Sequence, residues 1–147
     1  MPFGELPEHT WSLGGPVDDV RLTLRVAGEN LDPQMVTSLL GIVPTTAFSK
    51  GDRSGAQKAG VWLYETSTST GDLDALVTML LGRLPTDSGV WAKLGSLGKA
   101  DVYCGLHLLD WSRGTSLAPG TMAALAARSL TLELDIYCSP EDVEPDA

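Results

Sequence analysis

The side chains best suited to chemistry in this 147-residue chain fall into two groups. The first lies in the segment 45–60, where Lys50, Arg53 and Lys58 face only Asp52, a local +2 in a chain of net charge −9. Ser49, Gly51, Ser54, Gly55 and Ala56 keep the backbone there free of bulk. Successive unencumbered N–H groups beside cations suit a phosphate or carboxylate. The segment therefore predicts either a solvated, mobile loop or a small-anion or metabolite site built from Thr45, Lys50, Asp52 and Arg53, the latter requiring them to converge with Trp62 or His107 in one pocket. The second group occupies alternate positions of strand-like stretches: Arg21 and Arg25, Tyr103 and His107, and Tyr137 with Glu133 and Asp135. Arginine and the large aromatics dominate binding hot spots. On one sheet face these residues predict an interaction surface. The competing structural role is pairing of Arg21 and Arg25 with Glu133 and Asp135 across adjacent strands, worth about 0.2–1 kcal/mol per pair.

Other chemistry is absent from the sequence. There is no G-x-x-x-x-G-K-[ST] phosphate loop, no G-x-G-x-x-G turn and no G-x-S-x-G nucleophile elbow. His9 and His107 are the only histidines, too few for a histidine-rich metal centre and leaving His107 as the one strand-borne candidate base. No catalytic set, metal site or cofactor is predicted. Cys104 and Cys138 are far apart and in phase with apolar neighbours, which predicts two buried free thiols.

These side chains need elements to hold them. Val20, Leu22, Leu24 and Val26 alternate with Arg21, Thr23 and Arg25, the period of a half-buried strand. A short helix follows: Asp32 as N-cap, Pro33 at its first position, Leu31 and Val36 as a staple, and Val36, Leu39 and Leu40 as a stripe. Gly41 suits the left-handed residue after the last turn, and Pro44 blocks continuation. A second strand starts at residue 60. Asp72 then caps the strongest helix, where Leu73, Leu76, Val77, Leu80, Leu81 and Leu84 form one face that Pro85 ends. A shorter helical stretch from Ser88 carries Val90, Trp91, Leu94 and Leu97. The third strand spans residues 99–110, with Val102, Cys104, Leu106 and Leu108 in phase. A helix over 119–128 uses Met122, Leu125 and Ala126, and a last strand holds Leu130, Leu132, Leu134, Ile136 and Cys138.

Clean alternation in the strands favours an α+β two-layer sandwich over a doubly wound parallel sheet. The expected sheet has about four strands with helices on one face, in the order β-α-β-α-β-α-β. Leu31-x-Pro33 and Leu117-x-Pro119 recur 86 residues apart, a thin signal of an internal βαβ duplication. Residues 1–16 read as an irregular arm, residues 17–139 as one α+β domain, and residues 140–147 as an acidic disordered tail.

Composition narrows the function. The chain is 43% hydrophobic and 20% charged, a globular balance. Net charge −9 argues against nucleic acid, whose binding needs basic surface. No apolar run approaches the roughly 20 residues of a membrane span, and the acidic, Pro-broken start is unlike a signal peptide. A cytoplasmic protein is expected.

The strand, Gly28, Leu31-Asp32-Pro33, then Val36-Thr37-x-Leu39-Leu40-Gly41-Ile42-x-Pro44-Thr45 and Lys50-Gly51-Asp52 together resemble the bacterial family catalogued as domain of unknown function 4279. Trp62, Leu84-Pro85, the Leu117-led helix and Leu134-Asp135-Ile136-Tyr137 extend the resemblance over residues 18–138. It implies a small stand-alone bacterial protein and transfers no catalytic residue. The functional expectation is a non-catalytic binding protein, immunity-like in using acidic surface against a basic protein partner, with homodimerisation through a sheet edge or face as a further option. The alternative is a metabolite sensor or enzyme using residues 45–52.

Overall fold

The strand alternation read between residues 20 and 26 becomes the middle of the sheet. In the computed structural model, which describes residues 17–52, 58–110 and 112–138, β1 (Asp19–Gly28) buries Val20, Leu22, Leu24 and Val26 completely. Then come α1 (Pro33–Leu40), β2 (Thr46–Phe48), β3 (Gly60–Thr68), α2 (Leu73–Gly82), α3 (Ser88–Leu97), β4 (Lys99–Leu108), α4 (Pro119–Ala127) and β5 (Thr131–Cys138). The sheet order is β2-β3-β1-β4-β5. β1 runs antiparallel to both β3 and β4, β2 is antiparallel to β3, and β5 is parallel to β4.

The sheet is thus mixed and five-stranded, where four strands were expected. The extra strand, β2, is three residues long and lies inside the expected loop, too short for periodicity to reveal. The duplication is not reproduced in the pairing. Around α1 the flanking strands β1 and β3 are antiparallel neighbours, whereas around α4 the strands β4 and β5 are parallel neighbours.

All four helices lie against one face, and their apolar stripes close over Val102, Cys104 and Leu106 of β4 as well as β1. The stripe of α2 is buried as its spacing predicts, from Leu73 through Leu84. Fully burying each such side chain is worth about 1.5–3 kcal/mol, so this one helix face is a principal source of stability. Aspartates cap three helices. The Asp32 carboxylate accepts from the Gln34 N–H at 3.0 Å, Asp72 from Ala75 at 3.0 Å and Asp87 from Gly89 at 2.8 Å. Gly41 ends α1 at φ 74°, the left-handed value expected of it. Where the chain leaves β1 it passes directly over the start of β3, because Gly28 pairs with Gly60, and a Cβ on Gly60 would run into the Leu31 carbonyl.

Three expected faces differ. Trp62 lies on the helix side, fully buried, its indole N–H donating to the Thr37 hydroxyl at 3.0 Å. Register explains this, since Trp62 pairs with Val26 on the core phase of β1, which also places Tyr64 opposite Leu24. In α4, Thr121 and Leu125 are buried while Met122 is 50% exposed and Ala126 is exposed. The helix packs beside α2 through its small residues, with the Thr121 and Thr78 hydroxyls 3.4 Å apart. On β5, Leu134 and Ile136 share the helix-side face yet remain 53% and 60% exposed, because β5 is the edge strand and the core packing reaches only Leu132 on it. Cys138, at the end of that edge, is exposed, and only Cys104 is the buried thiol expected of both. Burial pushes the Cys104 thiol up to about 11. Residues 1–16 and 140–147, expected as arm and tail, lie outside the described residues, as does Arg53. Among the described residues no helix is long and apolar enough to cross a membrane.

Candidate functional site

Period-two alternation that buries one side of β1 and β4 delivers their polar residues to the other, where no helix lies among the described residues. Register then decides which of these meet. Across β1 and β4, Arg25 faces Asp101, Arg21 faces Gly105 and Asp19 faces His107. Across β4 and β5, Tyr103 lies beside Glu133, Gly105 beside Asp135 and His107 beside Tyr137. Since β4 separates β1 from β5, the expected pairing of Arg21 and Arg25 with Glu133 and Asp135 does not form.

Arg25 instead makes a two-pronged pair with Asp101, Nε to Oδ1 and Nη2 to Oδ2, each at 2.8 Å. The same guanidinium lies 4.6 Å from the centre of the Tyr103 ring. The hydrogen bonds to Asp101 raise the Arg25 pKa, with burial opposing them. A planar cation between a ring and a carboxylate uses the fork and the flat face of arginine together.

Beside it, Tyr103 and Tyr137 both donate to Oδ2 of Asp135, Tyr137 at 2.7 Å. Donation from Tyr103 first, then Tyr137, holds the Asp135 carboxyl below its ordinary range. The Tyr103 phenol moves the opposite way, well above its ordinary range, mainly through Asp135 and then Tyr137. Each phenol owns one hydrogen. With both directed at Asp135, the two phenol oxygens, 3.1 Å apart, offer acceptor lone pairs to anything approaching from outside.

Next along the strands is an open cup of about 380 Å³ lined by Asp19, Arg21, Tyr103, Gly105, His107 and Tyr137. Gly105 makes its floor, because a side chain there would stand 3.6 Å from the Tyr137 ring. The His107 and Tyr137 rings lie 6.4 Å apart, tilted by 34°. Arg21 reaches Asp19 at 3.4 Å with its side chain 80% exposed, a pair of the kind that contributes about 0–1 kcal/mol. Just before β1, Asp18 accepts from the Leu109 N–H at 2.6 Å and from Arg113 Nε at 3.2 Å, and the Leu109 bond above all lowers its pKa. Over the whole face, the described residues contribute five carboxylates (Asp19, Glu65, Asp101, Glu133, Asp135) against Arg21, Arg25 and Lys99. The face is acidic.

Of the two residue groups singled out from sequence, the strand-borne one converges. Arg21, Tyr103, His107 and Tyr137 line the cup, and Arg25 covers Tyr103. Among the described loop-group residues, Thr45, Lys50, Asp52 and Trp62 each have separate partners. Thr45 continues the β2–β3 hairpin, its N–H to Leu63 O at 2.7 Å and its hydroxyl accepting from the Glu65 N–H at 2.9 Å. Asp52 closes a turn by accepting from the Ser49 N–H at 2.7 Å, Gly51 supplies the positive φ of that turn, and Lys50 lies 3.7 Å from Glu29. Trp62 is in the core, so no site joins it to Lys50. Lys-Gly-Asp therefore has a turn-forming role. Sequence reasoning missed Asp19 and Gly105. Gly105 had a signal, a glycine inside a strand in the outward phase between Tyr103 and His107, which marks missing bulk on that face. Among the described residues no group of three or more histidine, cysteine, aspartate or glutamate side chains could hold a metal ion.

Fold and face define an α+β protein with a mixed sheet, covered by helices on one side and carrying an acidic, tyrosine-bearing face on the other. The chain belongs to the family described as Domain of unknown function (DUF4279), whose model matches residues 18–139. No curated protein and no solved structure matches it. Within the matched region, Asp32 caps α1, Gly41 ends it, and Thr37 receives the buried Trp62 N–H.

Proposed function

We propose that this protein is a non-catalytic binding module that docks a basic segment of another protein on its open sheet face. The observation that carries the reading is the acidic face itself. Its aromatic and charged side chains converge, and the Tyr103 and Tyr137 phenol oxygens are left as acceptors. An acidic surface steers a basic partner and disfavours acidic ones. In a bacterial cytoplasm, the setting we propose for it, such an immunity-like protein would neutralise a basic target. The alternative, a metabolite site at residues 45–52, gains no support from side chains already engaged in a turn and a hairpin.

The test is capture from host lysate by the immobilised full chain, compared with two variants that reverse exposed charges on the face, Glu65→Lys and Glu133→Lys. Met79→Ser, on the exposed side of α2, serves as control. A partner lost with both face variants and retained by the control supports the reading. Retention by all three, or a small molecule co-purifying with no protein retained, refutes it.

A further inference from the structure

Building on that reading, we infer that the cup bounded by Asp19, Gly105, His107 and Tyr137 is a receptor for one arginine side chain of the basic partner. The face already contains one such nest, made for its own residue: the Arg25 guanidinium lies on the Tyr103 ring and forks onto the Asp101 carboxylate. Two steps along the β1–β4 register the same ingredients recur without a side chain between them. The ring there is Tyr137 or His107, the carboxylate is Asp19, and the position that would hold an intervening side chain is Gly105.

The polarity of the cup matches. Tyr103 and Tyr137 direct their hydrogens at Asp135, so their oxygens face an incoming group as acceptors, and Asp19 is an acceptor too. These acceptors favour a multiple donor, with Arg21 the one permanent cation in the lining. A guanidinium is the donor that also stacks flat on an aromatic ring. Arg21 is the resident competitor. It rests on Asp19 through one exposed 3.4 Å contact and can swing into solvent when a better-placed cation arrives. The mouth is open, and 380 Å³ exceeds the needs of one extended side chain, as an entry from a partner's surface requires.

The experiment is a titration of the 15N-labelled full chain at low salt with the peptide acetyl-Gly-Arg-Gly-amide, followed through backbone amide resonances. Its uncharged isostere, with citrulline in place of arginine, is the control. The inference expects saturable shifts centred on Gly105, His107 and Tyr137 and at least fivefold weaker binding of the citrulline peptide. Asp19→Asn should weaken the arginine peptide by about fivefold or more. Gly105→Leu should abolish the shifts; should that variant fail to fold, Gly105→Ala, whose Cβ meets only ordinary contacts, should still weaken binding measurably. Equal binding of the two peptides, shifts centred elsewhere, no shift at 20-fold excess over millimolar protein, or indifference to Asp19→Asn each overturns it. Partner capture that depends on Glu65 and Glu133 but not on Asp19 leaves the docking face standing and removes the arginine receptor. Arginine binding without face-dependent capture does the reverse.

Discussion

Replacing Arg25 by alanine asks whether the open face is held together by its own ion pair. The guanidinium makes two 2.8 Å bonds to Asp101, whose side chain keeps only 10% exposure while that of Arg25 keeps 38%. An exposed pair contributes about 0.2–1 kcal/mol, and removing one partner of a fully buried pair costs about 3–5 kcal/mol. This pair lies between, with the carboxylate buried and the cation a third open. Losing the stack on Tyr103 adds about 0.5–1 kcal/mol. Arg25→Ala is therefore expected to cost about 2–3 kcal/mol. Asp101→Ala should cost less, about 1–2 kcal/mol, because a freed guanidinium on a flexible stem can turn to water. The two variants and their combination, unfolded in urea at pH 7, should show a coupling energy of about 1–2 kcal/mol. A coupling under about 0.3 kcal/mol, or an Asp101→Ala cost larger than that of Arg25→Ala, would refute the reasoning.

Four further outcomes are expected. Trp62→Phe should lower stability by about 1–3 kcal/mol by calorimetry, and adding Thr37→Val should return part of it, since the part-buried hydroxyl that lost its donor is then removed. Gly60→Ala should lower the midpoint of urea unfolding strongly while Gly82→Ala does not, because only the first added methyl collides with backbone. For pH, the carboxyls of Asp18, Asp74 and Asp135 are all depressed below 3.8, Asp74 chiefly by the Ala118 N–H. Depressed carboxyls add stability above their unfolded values and lose it as pH falls through the folded ones, so the melting temperature should drop below about pH 4. Asp135→Asn should flatten that drop. At the other extreme Tyr103 is raised from 10.0, so its contribution is full below pH 10 and is lost as pH rises further. Thiol titration with an aromatic disulfide should modify Cys138 alone in the native protein and both cysteines after unfolding, since Cys104 is buried and its thiol is pushed up to about 11.

Much of the fold was legible because its signals are local. Asp32, Pro33 and Gly41 bound α1 from within a few residues of chain, and the α2 stripe needs only a 3.6-residue period to declare its buried side. Errors came where burial depends on neighbours. The period of β5 correctly put Leu134 and Ile136 on one face but could not say that this face is uncovered at a sheet edge. Met122 was expected inward on apolarity alone, whereas the close approach of α2 selects Thr121 and Ala124 with Leu125.

The candidate site divides the same way. Arg21, Arg25, Tyr103, His107 and Tyr137 were readable as one set because alternation places each on the outward phase of its own strand. The loop group is harder to read, because the turn formed by Lys50, Gly51 and Asp52 uses the same residue types as an anion site.

By itself, then, the sequence determined the helices and their caps, the two-layer α+β arrangement and the outward phase of β1, β4 and β5, all set by spacing along one segment. Tertiary structure alone decided that β4 stands between β1 and β5. Strand order and register come from long-range pairing, whose partners carry no mark in either segment. That single choice gave Arg25 to Asp101 and left Asp135 to two tyrosines. It also set Gly105 among Asp19, His107 and Tyr137, turning an alternating pattern into a cup.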